Sequence, residues 1–245
     1  MKHLLRVIII TGCFFVLAAS CACAEAFNEI GSLCELHGVY TDNANNRESY
    51  SYDLPFLEGD SIYIAEVNEE LDLIYDKVKH SFTQMEKGSS LSLVNVSWHC
   101  EERNDITSII VSENFGDDDV YYHFFSLDRD GNRMSNERIL DASGLTADEF
   151  KGRAYALIDR FMTRDDLNEK TDLKELWDEA REKTLAEENC NEHLPLFLAA
   201  DGSLIFCAKC YTIAGAGWYN HLFALSGDNG FSENAVDNLQ ISLSE

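Results

Sequence analysis

Three stretches of the 245-residue chain gather side chains of the kind that do chemistry: Ser126–Glu137, Cys207–Cys210 and Ala214–Gly217. In the first, Ser126-x-Asp128-x-Asp130-Gly131-Asn132 followed by Glu137 repeats the spacing of an EF-hand loop, where alternate oxygen ligands and a closing bidentate acid wrap one calcium ion. The first ligand is Ser126 rather than Asp, however, and Arg133 stands where that loop keeps an apolar residue. A strand-like run from Val120 to Phe125 also precedes it instead of a helix, so a hairpin turn is expected, with Gly131 at φ > 0 and the short acids bonding nearby backbone. Cys207-Ala-Lys-Cys210 has the spacing of a redox or zinc motif. It lies in Leu204–Thr212, which reads as a strand and sends positions i and i+3 to opposite faces. A reactive pair needs a helix N-terminus to lower a thiol pKa, and a structural zinc needs four ligands. Ala214-Gly215-Ala216-Gly217 lacks the third glycine and the following helix of a dinucleotide loop.

The remaining candidates are no more specific. His80-Ser81-x-x-Gln84 lies on a core-facing helical pattern without a second histidine, and His37, His99, His123, His193 and His221 are scattered singly. No Gly-x-Ser-x-Gly elbow occurs, and among 44 carboxylates chance proximity makes a glycosidase pair unreadable. The expectation is no catalytic residue, no cofactor-binding residue and no metal ligand set. With no cofactor implied, the chain reads more as a binding protein than as an enzyme.

Charge and the N-terminus set the compartment and the partner class. Met1–Arg6 is basic, Val7–Ala19 is apolar, and Ala22-Cys23-Ala24 offers a small-x-small cleavage site, which together predict a signal peptide over residues 1–24. The apolar run falls well short of the roughly 20 residues of a membrane span, so no span is expected after cleavage. Cys21 and Cys23 supply a lipoprotein alternative. The formal net charge is −25; without Lys2 and Arg6 it becomes −27, from 17 basic and 44 acidic side chains. Such a field opposes nucleic acid and anionic lipid and favours a basic partner.

Export also allows oxidation of the five remaining cysteines, Cys34, Cys100, Cys190, Cys207 and Cys210, as structural disulfides. Their odd number leaves one unpaired, and spacing does not choose the pairs. Cys190 with Cys207 or with Cys210 is the pairing to test.

The elements that must position these residues follow from periodicity. Cys34–Thr41 and Ser49–Leu54 read as short strands, the second closed by Pro55. Val67, Leu71, Ile74, Tyr75, Val78, Phe82 and Met85 mark an amphipathic helix ending at Gly88, with Glu66, Glu69, Glu70 and Lys77 on a solvated face. Strands at about 91–100, 106–113 and 120–127 form an antiparallel meander, the last apolar on both faces and hence central. Thr146-Ala-Asp-Glu149 is a capping box opening a helix to about Thr163, and Asp172 opens another. Leu194–Ala199 and Ser203–Thr212 flank the hairpin signal Asp201-Gly202, and a last strand covers Tyr219–Leu225. The fold class is α+β: an antiparallel sheet with one long helix before the meander and two after it, closed by a C-terminal hairpin and strand. The mature residues 25–245 suffice for one domain, or for two lobes meeting near residue 90.

Several phrases make the chain resemble the PdaC/RsiV-like extracytoplasmic domain, shared by a lysozyme-sensing anti-sigma factor and a peptidoglycan deacetylase. They are Tyr52-Asp-Leu-Pro-Phe-Leu-Glu-Gly59 leading into Val67-Asn-Glu-Glu-Leu71, and Tyr122-His-Phe-Phe-Ser-Leu-Asp128 with Gly131. Leu196-Phe-Leu-Ala-Ala-Asp-Gly202, followed by Tyr211 and Ala214-Gly215, completes the set. The resemblance implies a non-catalytic binding or sensing module of the cell envelope, periplasmic or extracellular. Its implied partner is a basic protein such as lysozyme, or a cell-wall component. A secreted hydrolase acting on cell-wall sugar or peptide through an unrecognised carboxylate pair is the alternative.

Overall fold

The computed structural model describes residues 27, 29–42, 44–88, 91–116, 120–163, 171–213 and 217–226. The predicted signal peptide with Cys21 and Cys23, the acids Asp117–Asp119 and residues 214–216 lie outside that set. Strands β1 (Glu29–Thr41) and β2 (Arg47–Glu58) precede helix α1 (Ile62–Glu86), which leads to β3 (Asn95–Arg103), β4 (Ile106–Asn114) and β5 (Val120–Asp128). Helices α2 (Asn136–Ser143), α3 (Ala147–Met162) and α4 (Thr171–Thr184) and a short 3-10 turn, Glu187–Asn189, come next. Strands β6 (Leu196–Leu198), β7 (Leu204–Tyr211) and β8 (Trp218–Leu225) close the order. The α+β class and the C-terminal hairpin and strand are as the sequence predicts.

The first sheet is ordered β1-β2-β3-β4-β5 and the second β6-β7-β8. All but one of the pairings are antiparallel; the exception is β2 with β3, parallel over Ser51–Asn95 and Tyr52–Val96. This junction is a consequence of α1. A helical crossover returns the chain in the direction of the strand it left, whereas a short turn reverses it. The Asn104-Asp105 turn between β3 and β4 is of the second kind, both residues having positive φ.

Pro55 does not end β2. It pairs opposite Ser32, where Leu33 is an extra residue on β1 and the register shifts, and a bulge on an edge pair tolerates the missing N–H. Nor is β5 central in hydrogen-bonding order: it is the terminal strand, and β4 is the one buried along nearly its whole length. The apolar run of β5 reflects cover on both faces rather than neighbours on both edges. Phe125 and Leu127 pack with Ile64, Val67, Leu71 and Ile74 of α1, while Tyr122 and Phe124 pack against Phe197, Ile205 and Leu222 of the second sheet.

Four layers result: α1, the five-stranded sheet, the three-stranded sheet, and helices α2–α4. Alternation along β7 shows why, since Leu204, Phe206, Ala208 and Cys210 face the helices while Ile205 and Cys207 face the first sheet. Helix α1 is capped by Ser61, which accepts from the Ile64 N–H, and α3 has both arms of the Thr146–Glu149 capping box. Helix α2 is an addition to the predicted elements. Ser135 caps it and Gly144 closes it with φ 77°, so Glu137, matched above to a calcium position, is a first-turn acid. Among the described residues no helix is long and apolar enough to cross a membrane.

Candidate functional site

The acidic turn after β5 is built from its own backbone. Asp128 Oδ1 accepts from the N–H groups of Asp130 (3.0 Å) and Asn132 (2.9 Å), Gly131 has φ 73°, and Ser61 Oγ donates to Gly131 O. Ser126 is buried and faces Ser108 and the carbonyl of Leu196. Among the described residues no three His, Cys, Asp or Glu side chains are grouped to hold a metal ion.

The cysteines divide between the layers. Cys34 and Cys100 pack in the first core, Cys190 and Cys210 in the helix-side core, and Cys207 between the sheets. All five are free thiols in the structure. Burial pushes Cys100 and Cys190 up to about 11 and Cys207 and Cys210 up to about 12, and it raises Cys34 as well. None is a thiolate near neutral pH, so none is a ready nucleophile.

The histidines have equally definite surroundings. His221 stacks on Phe161 at 4.2 Å between ring centroids and lies edge-on to Phe223; burial lowers its pKa and holds it neutral. His37 meets Ser51 Oγ, His80 meets Gln84, and His193 is exposed beside Glu192. His99 bonds Glu101 at 2.9 Å.

His123 is different. Its Nε2 lies 2.7 Å from Glu113 Oε1 and its Nδ1 lies 2.7 Å from Glu70 Oε1. Glu113, only 1% exposed, also accepts from Lys77 Nζ at 2.8 and 2.7 Å through its two oxygens. The fold explains the meeting. On β4, Glu113 shares a face with Ile109 and Val111; on β5, His123 shares one with Phe125; both faces look toward α1, whose residues 70 and 77 lie two turns apart. The face assigned above to solvent therefore contributes Glu70 and Lys77 to a charge network. Burial alone would raise the Glu113 carboxyl, but the hydrogen bonds from His123 and Lys77 outweigh it and hold the group below its ordinary range. Burial would likewise lower His123, and the bonds to Glu113 and Glu70 reverse the sign and raise it.

An imidazole engaged by carboxylates at both nitrogens has no lone pair left to accept a proton. Glu70 and Glu113 are carboxylates that the fold brings to one histidine, and His123 occupies the space between them. What the network borders is a groove of about 400 Å³ lined by Lys77, Glu113, Phe115, Tyr121, Tyr122 and His123. Tyr121 is 41% exposed and meets Phe115 and Trp218 edge-to-face, with centroids 5.7 and 6.4 Å away. Sequence reasoning missed this site because its members are far apart in the chain; the one local signal was an acid, Glu113, in line with Ile109 and Val111 on a buried strand face.

No family model and no curated protein matches the chain. Among solved structures it is similar to the crystal structure of a DUF3298 family member from Bacteroides fragilis, at 14% identity and a TM-score of 0.36. That similarity covers 89% of this chain and 99% of the other.

Proposed function

We propose that the chain is an exported, non-catalytic binding protein of the cell envelope. The observation that carries this reading is the Glu70–His123–Glu113–Lys77 network beside an exposed aromatic groove, in which both nitrogens of His123 and both oxygens of Glu113 are already engaged by one another and by Lys77 and Glu70. The formal charge of −25 supports a basic protein, such as a lysozyme, as the partner recruited by the surface as a whole. The hydrolase alternative rests on Glu70 and Glu113 and requires His123 to leave them.

Titration with hen lysozyme at low ionic strength tests the recruiting role. Binding that weakens steeply with added salt is the expected result; absence of binding at low salt would sink the lysozyme assignment. Release of sugar or peptide from peptidoglycan, abolished by Glu113→Gln, would replace the binding reading with the hydrolase.

A further inference from the structure

The groove differs in character from the molecule around it. The chain carries a net −25, yet Glu113 and Glu70 in the network are opposed by Lys77 and by His123, whose charged form the two carboxylates favour. Among the described side chains of the network and the groove these charges balance, so a charged ligand would find little counter-charge there to offset its lost hydration. The wall is aromatic. Tyr121 is partly exposed and is set nearly perpendicular to both Phe115 and Trp218, and Lys209 Nζ lies 4.5 Å from the Trp218 ring centroid. Lys77 has three ammonium protons for two bonds to Glu113, which leaves one to donate into the groove.

Balanced charge among the described side chains, an exposed aromatic ring and a spare ammonium proton together suit a ligand with an apolar side and a hydroxylated edge. We propose that the Tyr121 groove binds an uncharged oligosaccharide, the C–H side of one pyranose ring resting on Tyr121 and its hydroxyls reaching Lys77. The cavity, about 400 Å³, has room for roughly two rings, within the usual size of small-ligand sites. This assignment deepens the binding role proposed above and rests on it for the absence of turnover.

The test is calorimetric titration of the full mature chain with chitotetraose, cellotetraose and maltotetraose, with tri-lysine and tri-galacturonate as charged probes. One neutral series is expected to bind with Kd on the order of 0.1–1 mM. Its affinity should not change between about 20 and about 500 mM salt, as it would for an ion pair. Tyr121→Ala should weaken binding at least tenfold and Tyr121→Phe should leave it intact; because Tyr121 is partly exposed, the alanine variant should keep the far-ultraviolet circular dichroism of the parent. Failure of all three neutral series, binding undiminished in Tyr121→Ala, or tighter binding of either charged probe would overturn the assignment. Lysozyme titrated in parallel separates the two ideas: lysozyme binding retained while every saccharide fails removes the groove assignment alone, and hydrolysis of a bound saccharide removes the non-catalytic role.

Discussion

Replacing Glu113 by alanine should be among the most damaging single polar changes in the first core. The carboxylate is 1% exposed and takes bonds of 2.7 Å from His123 and of 2.7 and 2.8 Å from Lys77. Breaking a buried ion pair from one side costs about 3–5 kcal/mol, because the surviving charge is left uncompensated. Lys77, 48% exposed, can return to water, and His123 keeps Glu70, so the low end, about 3 kcal/mol, is expected. His123→Ala leaves the buried carboxylate with Lys77 alone and should cost about 2 kcal/mol. Lys77→Ala should cost less than about 1 kcal/mol after solvent screening. Combining Glu113→Leu with His123→Leu removes both charges and should recover most of the loss.

The pH dependence follows from the two directions of shift. His123 is raised in the fold, so its contribution is complete below the ordinary histidine value of about 6.5 and fades as pH rises through the folded value. Glu113 is lowered, so its contribution is complete above the ordinary carboxylate value of about 4.3 and fades as pH falls through the folded value. Both are whole only between about pH 4.3 and pH 6.5. Urea unfolding of parent and Glu113→Ala at pH 5.5 and pH 9 measures the difference. The reasoning fails if the variant lies within about 0.5 kcal/mol of the parent at pH 5.5, or if the gap widens toward pH 9.

Three further outcomes are expected. In exported material a mass-spectrometric disulfide map should join Cys190 to Cys210, which share the helix-side core, and not to Cys207, which faces the other sheet; finding Cys190, Cys207 and Cys210 all as free thiols would remove that pairing. In reduced protein the five thiols should react with an aromatic disulfide reagent only on unfolding, since burial raises them all; a fast-reacting thiol in the native state would contradict their placement. Gly202→Ala should destabilise the fold by about 1–2 kcal/mol, because Gly202 has φ 93° and an added Cβ would lie 2.9 Å from the Arg103 guanidinium; an unchanged urea midpoint would refute it.

What the sequence reveals divides by distance along the chain. The Thr146–Glu149 capping box, the Asp201-Gly202 hairpin and the apolar stripe of α1 are local, and each reads correctly because turn and period are written within a few residues. Pro55 misleads because a proline signals a strand's end as readily as a bulge, and only the partner strand decides between them. Helix α2 is hidden because Ser135 to Gly144 spans barely two turns and Glu137 fits a calcium spacing equally well. The charge network is the least legible: 36 residues separate Lys77 from Glu113 and 53 separate Glu70 from His123, and no periodicity within α1 distinguishes a solvated acid from one that reaches across to a strand.

The same network has a consequence for how the chain avoids misfolding. Strand β5 is apolar toward both α1 and the second sheet, so hydrophobic burial alone scarcely distinguishes its two orientations. A slip of one residue would turn His123 into the layer occupied by Phe197, Ile205 and Leu222 and would strand Glu113 with half its partners. The polar key thus enforces the alignment that the greasy surfaces leave ambiguous, and a variant stripped of both charges should keep most of the parent's stability but fold less uniquely.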